Sequence, residues 1–220
     1  MAIIKNGLVS GKIGNQIYYV QEGRQCSRAV SAKPTKPATA NQVRYREKMT
    51  VTSKFLSSFI SVIKVGWHDP DSKRKYYSNS MSYHLQHALV ELTVEDNKGK
   101  SPVNHYQIDM PKVLLSSGNI ESPNILSAER KENQLHLTWG TTLGPITNRL
   151  DDILAIVAYE PGRICESFIS AGTRTTGTAS VKLPSHMKGK LHVWAFYWNH
   201  TKQKAMKNEL ASDSVYLGEF

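Results

Sequence analysis

Residues Gly7 to Asn15 read GLVSGKIGN, and two glycines followed by a lysine raise the question of a phosphate-binding loop. A nucleotide-binding P-loop needs four residues between its glycines and a Ser or Thr after the lysine, whose hydroxyl holds magnesium. Here three residues separate Gly7 from Gly11, and Ile13 follows Lys12. The hydroxyl is missing, so no nucleotide cofactor is expected. His68, Asp69 and Asp71 cluster in HDPDSKRK and are of metal-ligating type. Lys73, Arg74 and Lys75 follow at once, and no further ligand has a recognisable spacing. His84 and His87 lack the glutamate and spacing of an H-E-x-x-H zinc helix and read as polar-face histidines beside a leucine stripe. Asp151 and Asp152 are a carboxylate pair of the kind used in acid–base work. Ahead of ILAIVAYE they read as turn caps. Cys26 and Cys165 form neither a disulfide framework nor a metal set and have no catalytic context. No G-x-S-x-G nucleophile elbow occurs. No catalytic constellation emerges. The chain reads as a non-enzyme with no cofactor and no metal.

Charge is the stronger signal. The net charge is +10, and residues 1–75 carry all of it, with 14 Lys and Arg against four Asp and Glu. Residues 76–220 carry 14 of each. Such asymmetry points to nucleic acid, an anionic surface or an acidic protein as partner, or to a solvated basic face. No run approaches the ~20 apolar residues of a membrane helix. The opening MAIIKNGLVSGKIGN has no apolar stretch before a small-residue cleavage site. Synthesis in a reducing cytoplasm without a signal peptide, and no membrane insertion, are the expectations.

The elements that must position these residues follow from period and punctuation. IGNQIYYV and RQCSRAV, joined through Gly23, predict a β-hairpin of Ile13–Val20 with Arg24–Val30. Gly7, Gly11 and Gly14 then allow tight backbone at its entrance or close approach to a partner. SAKPTKPATA predicts an extended arm. Thr39 with Gln42 is a capping-box signature and starts one helix running to Val65, with Gly66 as its stop. Phe55, Leu56, Phe59, Ile60 and Ile63 form its core face. Met81, Leu85, Ala88, Leu89 and Leu92 predict a second helix, capped by Ser78 or Asn79. YQIDMPKVLLSSG reads as an irregular extended segment.

From Asn124 the pattern is all-β. Strands are predicted at 125–130, 134–139, 153–160, 164–171, 179–183, 190–198 and 214–218. Seven short strands in about a hundred residues argue a sandwich. In LHVWAFYWN, Trp194, Phe196 and Trp198 share one face while Val193, Ala195 and Tyr197 share the other. One face is assigned to the core, leaving the other as a candidate stacking platform for bases or sugars.

The segment GKIGNQIYYVQEGRQCSRAVSAKPTKPATANQVRYREKM resembles a G-K-x-G-N, hairpin, Pro-rich link, T-x-x-Q-x-x-x-R order. That order is typical of an uncharacterised family widespread in Bacteroidota, with similar openings in small proteins of phage structural modules. SYHLQHALV, LTWG, DDILAIVAYEPG and SVYLG fit the same family, whose usual residues at Gln25 and Cys26 are basic or apolar. The seven-strand half resembles a fibronectin type III or immunoglobulin-like module without its cysteine pair. The expected fold is an α+β region (hairpin, arm, two helices) over 1–120 and an all-β sandwich over 121–220. The resemblance implies an assembly component of a phage or phage-like particle. Its partners would be other protein subunits, its own copies included. Partner contact is expected from Gly11, Lys12, Gly14, Asn15, Arg24, Arg28, Lys33, Lys36, Arg44 and Arg46. Two alternatives stand beside this reading. One is nucleic-acid binding through the basic residues of 1–75, although no helix-turn-helix, zinc finger or RNA-binding aromatic motif is present. The other is a carbohydrate- or surface-binding module on the sandwich.

Overall fold

Ile, Tyr and Val alternating with polar residues draw the start of the chain into strands, and the computed structural model finds four of them. It describes residues 2–5, 7–21, 23–32, 36–67, 76–92, 106–142, 150–163, 165–199 and 211–220. β1 (Ile3–Lys5), β2 (Leu8–Ile13), β3 (Gln16–Gln21) and β4 (Arg24–Ala29) form one antiparallel sheet in chain order. The expected hairpin is therefore the second half of a four-stranded meander. The glycine-rich entrance is itself strand. β2 changes partner at Gly11: Leu8–Ser10 pair with β1, and Gly11–Ile13 pair with β3. The change needs φ +124° at Gly11, a value that residues with a side chain rarely adopt.

Thr39 and Gln42 form the capping box: Gln42 N–H donates to Thr39 Oγ1 at 3.3 Å, and Thr39 N–H donates to Gln42 Oε1 at 3.1 Å. The helix they open is broken, where one continuous helix was expected. α1 spans Ala40–Ser57 and α2 spans Ile60–Gly66. Between them the chain tightens, with Ser58 N–H on Phe55 O at 3.1 Å and Phe59 N–H on Leu56 O at 3.0 Å. The break turns the apolar stripe. Val62 joins Phe55, Leu56, Phe59 and Ile63 in the core, while Ile60 stays 48% exposed. Gly66 is the last residue of α2, with Trp67 as the C-cap, and it serves close approach and not a left-handed cap: a Cβ there would sit 2.7 Å from Leu115 O and from Ser116 Cα.

α3 runs Tyr76–His87, starting before the expected caps. Leu89 then lies in β5 (Leu89–Glu91), which pairs with β6 (Tyr106–Ile108). Leu92 is exposed beyond it. The next strands match the sequence pattern closely: β7 (Ile125–Lys131), β8 (Gln134–Trp139), β9 (Ile153–Tyr159), β10 (Glu166–Thr173), β11 (Thr178–Lys182), β12 (His192–Trp198) and β13 (Val215–Glu219). They form two antiparallel sheets, β11-β8-β7 and β10-β9-β12-β13. Among the described residues the fold is an α+β mixture of several antiparallel sheets and three α-helices.

β9 and β12 are buried on both faces. Leu154, Ile156, Ala158, Val193, Ala195 and Tyr197 share a core with Leu135, Leu137 and Trp139 of β8. Ala155, Val157, Tyr159, Trp194 and Phe196 share another with Phe55, Leu56, Phe59 and Ile63. Phe59 packs 5.0 Å from the Tyr159 ring and 6.0 Å, edge-on, from Trp194. Contacts divide the chain into Met1–Gln42 and Val43–Phe220. The expected boundary at 120/121 falls inside the second unit, because the helices bury their stripe on the same sheet that the first core covers from behind.

Candidate functional site

The first unit carries most of the candidate partner residues. Gly14 and Asn15 make the two-residue turn between Ile13 and Gln16. Gly11 and Lys12 lie on β2, and Arg24 and Arg28 on β4. Lys36 is exposed, and Lys33 lies outside the described residues. Arg44 and Arg46 sit on the open first half of α1, in the second unit, where nothing before Thr52 is buried.

Pairing register assigns the faces of the first sheet, since directly opposed residues point the same way and neighbours along a strand alternate. Lys12 opposes Ile17, which opposes Arg28; Tyr19 opposes Cys26; Gln21 opposes Arg24. These residues share one face. Ile13, Gln16, Tyr18, Val20, Gln25, Ser27 and Ala29 share the other. Lys12, Arg24 and Arg28 thus gather on one side, and among the described positions paired across β2, β3 and β4 the opposite side holds no charge. Gln25, which departs from the resemblance pattern, has a definite task. Its amide accepts Val9 N–H at 2.7 Å and donates to Val9 O at 2.9 Å, standing in for a strand where β2 has left β3. Spacing in the sequence gave no sign of this clasp.

Among the described residues of the first unit, no side chain is buried. Ile13 is 50% exposed, Val20 41% and Tyr19 37%, and Ile3 and Ile4 are more open still.

The groups singled out for chemistry are engaged elsewhere. His84 is buried, which corrects its polar-face assignment, while His87 is exposed. His84 Nδ1–H donates to Ser80 O at 2.7 Å, so Nε2 faces Leu114 N–H at 3.4 Å. Burial lowers its pKa from the ordinary histidine value, opposed by the bond to Ser80. Cys165 Sγ donates to Ser58 O at 3.0 Å. Burial pushes its pKa up to about 12, with Glu166 adding to the rise, so it is a thiol and not a nucleophilic thiolate at neutral pH. Asp152 is fully buried, not a turn cap. Arg174 reaches its Oδ2 at 3.3 Å, and Asn199 Nδ2 donates to its Oδ1 at 3.2 Å. The Arg174 guanidinium lies 3.9 Å from the Tyr197 ring centroid, and Trp139 Nε1–H donates to Arg174 O at 3.1 Å. This network pins one end of both sheets. Arg174 and Asn199 lie 22 and 47 residues from Asp152, so no motif announced them. His68, Asp69 and Asp71 lie outside the described residues. Among the described residues no group of three His, Cys, Asp or Glu converges on a metal position. No described helix is long and apolar enough to cross a membrane.

Both faces of β12 are covered, so the stacking platform considered there is not open. Only the two ends of the strand, His192 and Trp198, are half-buried, and Trp198 Nε1–H donates to Ile169 O at 2.6 Å. An open groove of about 860 Å³ runs beside α1, floored by Val51, Phe55, Ile108 and Tyr159. Its rim carries Lys54, Arg163, Glu166 and His186. Glu166 and His186 stand 3.7 Å apart, both open to water.

The profile of one protein family, described as a family of unknown function (DUF6266), matches residues 8–218. The chain belongs to this family. The DUF6266 match takes in β2, β3 and β4 together with the second unit as far as Gly218, so most of the exposed sheet and the two-core body fall within one family match. No curated protein and no solved structure matches the chain.

Proposed function

We propose that this DUF6266 chain is a non-enzymatic assembly subunit that docks through its N-terminal sheet onto a second protein subunit. The observation that carries the reading is the sheet without a core. A sheet in water draws its stability from a hydrophobic face or from packing against another element, and exposed apolar side chains contribute little until they are covered. Residues 2–42 as described bury no side chain, yet hold Ile3, Ile4, Ile13 and Val20 open. A partner surface laid over the uncharged face supplies the missing burial, and copies of the same chain are the first candidates. The setting is a phage or phage-like particle, as the resemblance of the opening segment implies.

The second unit supports the same reading. Of its seven strands after Asn124, the first, second and fifth form one sheet, and the third, fourth, sixth and seventh form the other. That order agrees with a fibronectin type III or immunoglobulin-like sandwich, a module commonly used for structural and recognition roles. His84, Cys165 and Asp152 are committed to packing and internal bonds, which favours a structural role over a catalytic one. The test is sedimentation velocity from micromolar to sub-millimolar protein, with Ile13→Glu/Val20→Glu as the comparison. Association that grows with concentration and disappears in the variant is the expected result. A wild-type chain that stays monomeric at every concentration, with its first sheet resistant to proteolysis, would remove the need for a partner.

A further inference from the structure

We infer that the charged face of the N-terminal sheet binds single-stranded nucleic acid, with Lys12, Arg24 and Arg28 on phosphates and Tyr19 stacked on a base. The inference goes beyond docking and does not rest on it, because it uses the opposite face of the sheet.

The register places the four groups. Lys12 and Arg28 flank Ile17 on adjacent strands, about 10 Å apart across the sheet. Arg24 and Arg28 stand four residues apart along β4, about 13 Å. Tyr19 opposes Cys26, midway between the two arginines, and is exposed. None of the three cations makes an ion pair with a described residue. No acidic residue shares the face among the described strand positions. An open ring set between cations that no described residue pairs is the combination that single strands require, because phosphates need the charge and unpaired bases need a π-face. A duplex hides its base faces, and an acidic peptide uses the cations alone. A second, independent element repeats the pattern: Arg44, Tyr45 and Arg46 follow one another on the exposed half of α1, with Tyr45 59% exposed.

The test is fluorescence anisotropy of the full chain with labelled oligo(dT) and oligo(rU), from low to physiological salt, with poly-glutamate as competitor. Binding that weakens linearly in log salt is expected. Arg24→Gln/Arg28→Gln should lower that slope by about 1.4, at roughly 0.7 per strand phosphate released. Tyr19→Leu should weaken binding about fivefold or more with the slope unchanged. Lys182→Gln, on an exposed position of β11, should change neither. Equal binding of both oligomers places the recognition in phosphate and base, whereas a preference for oligo(rU) adds the ribose hydroxyl. Two results would overturn the inference. One is no oligomer binding at low salt, or binding unaltered in the arginine variant. The other is a silent Tyr19→Leu with poly-glutamate bound as tightly, which gives the face to an acidic protein.

Discussion

Replacing Phe59 with alanine tests whether the helices and the sheets of the second unit are one cooperative body. Phe59 is fully buried at the break between α1 and α2. Its ring lies 4.9 Å from Phe55, 5.0 Å from Tyr159 and 6.0 Å from Trp194, so it joins the helices to β9 and β12. Truncation removes the ring and leaves a cavity between rigid neighbours, at a cost of about 3–5 kcal/mol. For a cooperative unit of this size that lowers the thermal midpoint by roughly 6–20 °C. The assay is pulsed hydrogen exchange read by mass spectrometry across a urea titration, which gives a midpoint for each segment. β8 lies in the rear core with β9 and β12, a core to which no helix residue belongs. If the body unfolds as one, the β8 midpoint falls with that of α2. A β8 that keeps its wild-type midpoint while α2 shifts would refute the reasoning and restore a boundary near residue 120.

Asp152→Ala leaves Arg174 buried without its carboxylate, and should destabilise the second unit by about 3–5 kcal/mol in urea denaturation. In thiol titration of the native chain near pH 8, Cys26 should react and Cys165 should not, whereas both react in denaturant, because burial holds Cys165 protonated. His84 is lowered in the folded state, so the unfolded chain binds its proton more readily. Stability should therefore fall as pH drops through about 6.5 toward the lowered folded value, and hold above it. His84→Asn should flatten that part of the thermal-midpoint profile.

Local features were legible where chemistry is local. The capping box of Thr39 and Gln42 and the seven strands after Asn124 follow from turn residues and period alone. Three things were hidden. Gly7 and Gly11 mask β1 and the first half of β2, because glycine dilutes the strand pattern while permitting the change of partner. The break at Ser58–Phe59 leaves no proline or glycine mark, and it shows only in Ile60 facing water. The helices' seat on β9 and β12 is a long-range pairing that a periodic stripe cannot name. A signal for it did exist. ILAIVAY and HVWAFYW are near-continuous apolar runs, the mark of strands covered on both faces, whereas a one-sided sheet would alternate. The charged face of the first sheet was half visible. Its residues were singled out from charge, but their convergence needed the register, and Gln25 needed the clasp geometry.

The measurement that bears most directly on the central claim is native-state hydrogen exchange of the dilute full chain, amide by amide. Protection tracks the free energy of local opening. A sheet without a core predicts that β2, β3 and β4 amides exchange orders of magnitude faster than those of β9 and β12, and slow only when a partner covers them. β3 amides as protected as those of β9 in the dilute monomer would contradict it, because the sheet would then stand without a partner.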